Sequence, residues 1–577
     1  MRATIRYMKT ALSLLGKYRK NVQKGYIAAF FESGLSFVPY MLLFYIISII
    51  IVRDITPKDI IIVSIAMLVS VTLRVIFKRR QDRLQQIQGL YALTERRLDI
   101  ADHLSKLNMG YYSEANVGNV SAVISGDITF MEELVFMQLG IGVSSIASWI
   151  LTTIYIFVFN LKLGLVFVLC SLLAMFAIGL MNKAMVLGVY KRQDNFGMLS
   201  QVVLDFIQGL PTIKAFNMIK EKNTDVYEAI DKTQKDAVKM VLEDAPYLTS
   251  ASAILNGLTG IFCLAVIYLL KIGELELYWA LGFIIFSFVL FLPALLLGNS
   301  MEILSVGDAA GKRIWKILKE KTLPDQANDL KIKDMVVEFK DVSFAYEEKE
   351  VLKDINLTIK PHTFTALVGE SGSGKTTITN LIARFWDIEK GQILIDGRDI
   401  KDYPFSELMD NISMVFQNVF LFNDTIYNNI AFGNDKVTKD EVIEAAKKAR
   451  CHDFIMKLPK GYDTMVGEGG SNLSGGEKQR ISVARAMLKD AKLVLLDEAT
   501  AGVDPDNEKF MQEAIENLVK DKTLLVIAHR LSTIQNADQI LVLKDGEIVE
   551  RGTSEELIAQ NGIYKKQYDY YRKIKAE

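Results

Sequence analysis

Apolar positions crowd into the first 300 residues of the chain, in six runs at roughly 25–52, 59–78, 131–159, 162–182, 247–271 and 276–300. Each run is about 20 residues or longer, enough to cross a hydrocarbon layer of about 30 Å as a helix. GYIAAFFESGLSFVPYMLLFYIISIIIV, at 25–52, is the clearest. One such run could be a buried helix of a soluble protein, but six in half a chain predict a membrane domain. Two connections, 79–130 and 183–246, are long and charged, with apolar residues at helical spacing. Structureless loops of that length are rare, so both read as membrane helices continued beyond the bilayer. The chain is expected to reverse at GYYSEANVGN (110–119) and at IQGLPTIKAF (207–216), where Gly, Asn and Pro offer turns.

Past Lys321 the pattern changes. TLPDQANDLK (322–331) is polar, and the following 240 or so residues alternate strand-like and helix-like segments. The predicted division is a transmembrane domain at 1–321, a linker at 322–335 and a soluble domain at 336–577. The expected fold is therefore an α-helical six-span membrane domain with long helical extensions, followed by an α/β domain with a helical subdomain.

Charge orients the spans. Arg2, Arg6, Lys9, Lys17, Arg19, Lys20 and Lys24 precede the first, and Lys78, Arg79, Arg80 and Arg83 follow the second. The short loops VRDITPKD, NLKLG and KIGELE carry one or two basic residues each. Positive residues stay inside, so both termini are expected in the cytoplasm. The basic, amphipathic start MRATIRYMKTALSLLGKYRK has no small-residue cleavage site. It reads as a helix lying on the inner leaflet.

Composition removes other classes. Lys plus Arg number 67 against 68 Asp plus Glu, so there is no basic excess for a nucleic-acid partner. Three cysteines make no disulfide framework, and four histidines make no metal-ligand spacing with them.

The strongest local motif runs from Gly369 through Glu370, Ser371, Gly372, Ser373 and Gly374 to Lys375, Thr376 and Thr377. A strand-like FTALV precedes it and a helix-like TTITNLIARF follows. Glycines let backbone N–H groups curl around phosphate, and the helix N-terminus adds positive potential. Lys375 reaches terminal phosphates and the Thr376 hydroxyl suits Mg²⁺. KLVLLDEAT (492–500) is an apolar strand ending in two acids. Asp497 is placed to hold Mg²⁺ through water, and Glu498 to polarise a water for attack on a γ-phosphate. LSGGEKQR (473–480) puts a Ser-Gly-Gly turn before a helix, a second anion cradle.

In this order and spacing the motifs resemble those of an ATP-binding-cassette (ABC) transporter half of the exporter fold (type IV), with a membrane domain fused to a nucleotide-binding domain. The resemblance implies ATP and Mg²⁺ as cofactors, and a role for further residues. Tyr346 in VSFAY would stack on adenine. Gln417 in VFQ would sense Mg²⁺ and γ-phosphate and couple to the membrane helices. Leu473, Ser474, Gly475, Gly476 and Glu477 match the signature that completes the ATP site of an opposite subunit. Asp504 in AGVD would link the two ATP sites, and His529 in VIAHR would bond the γ-phosphate. The tips at 110–119 and 207–216 would be coupling helices. The functional unit implied is a dimer, with a second copy or a homologous partner, in a bilayer that is expected to be a bacterial inner membrane.

Substrate is less legible. Glu32 sits inside the first span, where a carboxylate is costly and functional by default. It offers a site for a cationic group or a proton, or a partner for Arg74. Asn256 and Asn299 are polar candidates on spans five and six. The expected activity is ATP-driven export of a small amphipathic molecule. AGVDPDNE and VFQNVFLF, with Phe416 where many exporters have Ser, resemble a branch that includes siderophore importers. Import of a metal-chelate or porphyrin-like ligand is therefore the alternative. An ATP-gated channel or regulator is a second one, which the intact Glu498 argues against.

Overall fold

The computed structural model describes residues 2–52, 55–112, 114–326, 328–346, 349–432, 434, 436–497, 510, 513–518, 522–527 and 534–576. Two compact units result, one built from 1–105 and 114–320, the other from 106–113 and 321–577.

The first unit is helical, with six helices of membrane length among the described residues. Helix α1 is Arg2–Leu14. The first span consists of α2 (Arg19–Leu35) and α3 (Val38–Val52). They are separate because Pro39, in the first turn of α3, has no N–H to give to the turn before it. Ser36 and Phe37 make tight turns there, donating to Gly34 O and, for Ser36, also to Glu32 O. The second span is α4 (Pro57–Asp82), carried on by a π-helical turn into α5 (Gln88–Ser105). The third ends in α6 (Phe136–Phe159). The fourth and fifth are α7 (Leu161–Ala215) and α8 (Ile219–Lys271), each running through an internal proline, Pro211 and Pro246. The sixth breaks at Phe291 into α9 (Leu277–Leu290) and α10 (Leu292–Leu318), with Pro293 in the first turn of the second piece. Leu68 and Phe288 turn outward, 70% and 78% exposed, as side chains facing acyl chains must.

Helix α1 uses its apolar face on the protein. Ala11 and Leu14 are buried, Thr10 Oγ1 donates to Asp308 Oδ1 at 2.5 Å, and Trp315 Nε1 donates to Ser13 Oγ at 2.9 Å. The amphipathic pattern that suggested an inner-leaflet helix is thus spent against α10. Arg97 grips Glu132 through both Nη atoms, and Arg313 grips Asp127 at 2.6 Å twice. Such forked pairs bind the extensions of spans two, three and six into one bundle.

The second tip lies later than expected. Pro211 costs α7 one hydrogen bond without ending it, and the chain turns over 216–218, where Asn217 takes φ 55°. Asn tolerates that left-handed conformation. The first break between helices opens after Ser105 and overlaps the expected string, with a short helical turn at Met109–Tyr112; 106–113 groups with the second unit.

The second unit has two sheets. β1 (Val337–Tyr346), β2 (Lys349–Ile359), β4 (Lys390–Ile395) and β5 (Arg398–Asp399) are antiparallel in the order β2-β1-β4-β5. β3 (Phe364–Gly369), β6 (Ile412–Val415), β7 (Leu493–Asp497), β8 (Thr523–Ile527), β9 (Gln539–Lys544) and β10 (Glu547–Gly552) form the order β10-β9-β3-β8-β7-β6. All its pairings are parallel except β9 with β10. Both faces are covered, as parallel sheets require. Leu367, Leu495 and Leu525 enter the core under the antiparallel sheet, while Ala366, Val494 and Val526 enter the core under the helices.

Candidate functional site: a phosphate cradle and a membrane cavity

Strand β3 lies between β9 and β8 and ends at Gly369, so its loop opens at the carboxyl edge of the sheet, where α/β proteins bind phosphates. Helix α11 (Lys375–Ile382) follows, capped by Gly374 at φ 103°. A Cβ there would lie 2.5 Å from Leu352 Cδ2, so glycine alone fits both the backbone and the space. Lys375 is buried, and its Nζ donates to Gly369 O at 2.9 Å and Glu370 O at 2.7 Å. The ammonium thus sits over the loop it follows.

Thr376 Oγ1 stands 3.5 Å from Asp497 Oδ1 at the buried end of β7. A hydroxyl and a carboxylate oxygen side by side, at a helix N-terminus, are hard donors of the kind Mg²⁺ takes, with phosphate and water completing its shell. The residues present fit that ion.

Tyr346 ends β1, with its ring 5.2 Å from that of Trp386 at 81°. The next segment back, Phe385, accepts at its O from Met109 N–H at 3.0 Å. A Cβ on Gly110 would come within 2.8 Å of Trp386 Nε1, so the first tip needs its glycine for this close approach. Arg384 is nearly fully buried and donates to Pro324 O at 2.7 Å and Asp387 Oδ1 at 3.0 Å, fixing the linker beside the same segment.

Gln417 is exposed after β6. Its backbone O accepts from Gln479 Nε2 at 3.0 Å, and Gln479 is 4% exposed on α12 (Gly475–Lys489). Sequence reasoning passed over Gln479. Its place in LSGGEKQR, five residues past Ser474 on the buried side of that helix, is the available signal. Ser474 caps α12, accepting from Glu477 N–H while Glu477 Oε2 accepts from Ser474 N–H at 2.8 Å. Ser474 and Gly475 are exposed, Leu473 and Glu477 half-buried, and Gly476 buried. Glu498, Asp504 and His529 lie outside the described residues.

In the helical unit, Glu32 is 9% exposed and accepts from Arg74 Nε at 2.9 Å. The pairing with Arg74, one of the readings open in the sequence, is present in the structure. Both residues line a cavity of about 380 Å³ with Lys78, Ser145 and Ser148. A larger cavity of about 950 Å³ is lined by Phe44, Tyr155, Phe159 and Trp279, and the two share Phe37. Asn256 and Asn299 are exposed and outside the lining of both.

A helical unit with six membrane-length helices, on one chain with a sheet unit whose glycine loop, threonine and aspartate suit phosphate and Mg²⁺, defines an ATP-driven membrane transporter. The comparisons with known proteins agree. The model of the ABC transporter transmembrane region matches residues 24–294, and that of the ABC transporter matches 352–501. An ATP-dependent lipid A-core flippase of Syntrophus aciditrophicus (strain SB) is 36% identical over 83% of this chain and 80% of its own. A Bacillus subtilis (strain 168) protein, YgaD, whose name gives it a provisional multidrug-export role, is 35% identical over 81% and 82%. A bacterial Atm1-family ABC exporter with ATP bound superposes with a TM-score of 0.84 at 27% identity, over 96% of this chain and 98% of that one. The chain belongs to the ABC transporter family, and its activity is ATP hydrolysis coupled to transport across a membrane. It is a multi-pass membrane protein of the exporter fold.

Proposed function

We propose that the protein is one half of an ABC exporter, which pairs with a second half and moves an amphipathic molecule outward. The approach of Thr376 to Asp497 at the mouth of the glycine loop carries the nucleotide part of this reading. In it, Tyr346 stacks on adenine and the loop from Gly369 to Thr377 wraps the phosphates. Lys375 leaves its loop carbonyls for the terminal phosphates. Thr376, Asp497 and Gln417 hold Mg²⁺, which when bound neutralises phosphate charge. Glu498 orients the attacking water and His529 donates to the γ-phosphate. The exposed Ser474 at the start of α12 offers its end of the helix to the ATP of the other half, and Asp504 joins the two sites. ATP favours the closed pair only through its stronger binding to that state.

Outward movement rests on the relatives, whose names are those of a flippase and exporters. Import of a siderophore or porphyrin-like ligand has no support among them, and the strings that suggested it lie in the cassette. The Lys and Arg bias supports cytoplasmic termini, and the bacterial relatives support an inner-membrane location. The test is reconstitution in liposomes with a fluorescent amphiphile in the leaflet beside the cassettes. Mg-ATP is expected to move it to the other leaflet. Glu498→Gln is expected to bind ATP, hydrolyse none and move none. ATP turnover with no movement of any amphiphile would sink the export reading, and turnover by Glu498→Gln within a few-fold of wild type would remove Glu498 from its role.

A further inference from the structure

The smaller membrane cavity carries two cations and one acid on its lining, and the acid is already engaged. Glu32 sits 9% exposed on α2 and takes Arg74 of α4 through Nε alone, at 2.9 Å. A guanidinium has five N–H donors. Neither Nη of Arg74 has a protein acceptor among the described residues, so its terminal edge is open to the cavity that Arg74 lines. Left alone, a long basic side chain inside an apolar span swings toward water. Held at Nε by a buried carboxylate, its planar fork is fixed in place before any ligand arrives.

We propose that Glu32 is a positioning residue, which orients Arg74 so that its Nη edge and Lys78 receive the oxyanion of an amphiphile's head group. This rests on the export reading above and names its substrate class as an acidic amphiphile bearing phosphate or carboxylate. Lys78 lies one turn along α4, its Nζ 3.1 Å from Asp82 Oδ1. From α6, Ser144, Ser145 and Ser148 line the same cavity. Ser144 Oγ accepts from Gln81 Nε2 at 3.2 Å, which leaves its own proton to donate. On the lining itself two cations stand against one acid, and Asp82, the partner of Lys78, is not part of it, so the side chains that face the cavity offer N–H and O–H donors to an anion. The apolar part of the amphiphile has the neighbouring aromatic cavity, which shares Phe37 in its lining.

The experiment compares two amphiphiles of equal tails, dimyristoyl phosphatidate and dimyristoylglycerol, titrated into phosphatidylcholine nanodiscs holding the full-length protein. The readout is the concentration that half-maximally stimulates ATP hydrolysis. Wild type is expected to respond to phosphatidate at concentrations at least about tenfold lower than to the neutral lipid, the effect of one charge-assisted hydrogen-bonded pair. Arg74→Ala should erase that preference, Arg74→Lys should restore part of it, and Glu32→Gln should weaken it about fivefold. In an Arg74→Ala background Glu32→Gln should add nothing, because it acts through the lost side chain. Independent, additive effects of the two substitutions, or equal shifts for both lipids, would overturn the proposal. A wild type that answers both lipids alike overturns it while leaving amphiphile export standing. A wild type that turns over ATP and answers neither lipid removes the export reading as well.

Discussion

The Tyr346 ring meets the Trp386 ring edge-on at 5.2 Å, and Trp386 meets the first tip at Gly110. The residue proposed to stack on adenine is thus one side chain away from a segment that returns into the membrane helices. Met109 N–H bonding to Phe385 O at 3.0 Å locks the same junction through the backbone. Trp386→Ala removes an edge-to-face pair worth about 1 kcal/mol, so ATP affinity should fall about fivefold. Amphiphile stimulation of ATP hydrolysis should fall further than that, because the tip loses its seat. Nucleotide titration and stimulated ATPase assays on one preparation separate the two. Weaker binding with full stimulation would mean that Trp386 serves the nucleotide alone.

Lys375 is 5% exposed with its ammonium turned onto two backbone carbonyls. Those bonds keep a buried cation satisfied, and in the proposed ATP-bound state a terminal phosphate takes their place. A charge-assisted hydrogen bond is worth about 2 kcal/mol, which is roughly 30-fold in affinity. Lys375→Ala is expected to weaken Mg-ATP binding by at least that factor, read by equilibrium titration. Unchanged affinity would contradict the cradle.

Gln479 binds the backbone of the exposed Gln417 segment to α12, the helix that Ser474 caps. Its amide donates to Gln417 O at 3.0 Å and to Phe416 O at 3.4 Å. Gln479→Ala should free that segment and leave two carbonyls without their partner, about 1–3 kcal/mol of local stability. Turnover should drop about tenfold with ATP affinity within twofold of wild type, since the glycine loop is untouched. An equal loss of both would mean that the contact merely holds up the fold.

How far the chain announces itself depends on whether a feature is local. The six spans are legible because twenty apolar residues in a row have few other uses, and β3, β7 and the loop at Gly369 because buried parallel strands are short continuous apolar runs. The second tip lies a few residues later than expected for a physical reason. Pro211 looks like a stop, yet one lost hydrogen bond is small against a helix of 55 residues. The actual turn depends on one residue, Asn217, in the left-handed region. The partner of α1 was hidden because an amphipathic face has the same pattern against lipid as against α10. Glu32 stood out as a charge in a span and Arg74 was one of the partners open to it, but only the fold brings the two together across 42 positions. Trp386 belongs to no signature, and Gln479 sits in LSGGEKQR without the string saying what it holds; both act through contacts that only the folded chain supplies.

Glu407 gives a prediction with a pH sign. It is 7% exposed and collects Lys331 Nζ at 2.7 Å, Ile332 N–H at 3.0 Å and Asn411 Nδ2 at 3.1 Å, tying the segment before β1 to the sheet unit. Burial pushes its carboxyl up, but the ammonium and amide donors outweigh it and hold the group below the usual glutamate range. An acid lowered on folding stabilises above its unfolded value of about 4.3, and that stability is lost as pH falls through the lower folded value. Glu407→Gln keeps the shape and gives up the charge. At pH 7 it should cost about 1 kcal/mol, a drop in Tm of roughly 3 °C for a domain of this size. The gap should narrow as the pH falls below the unfolded value and through the lower folded one, and close once both states are protonated. Thermal unfolding followed by intrinsic fluorescence across that range checks both parts. A gap that stays constant to the acid end would assign the contribution of Glu407 to shape and hydrogen bonding, with none from its charge.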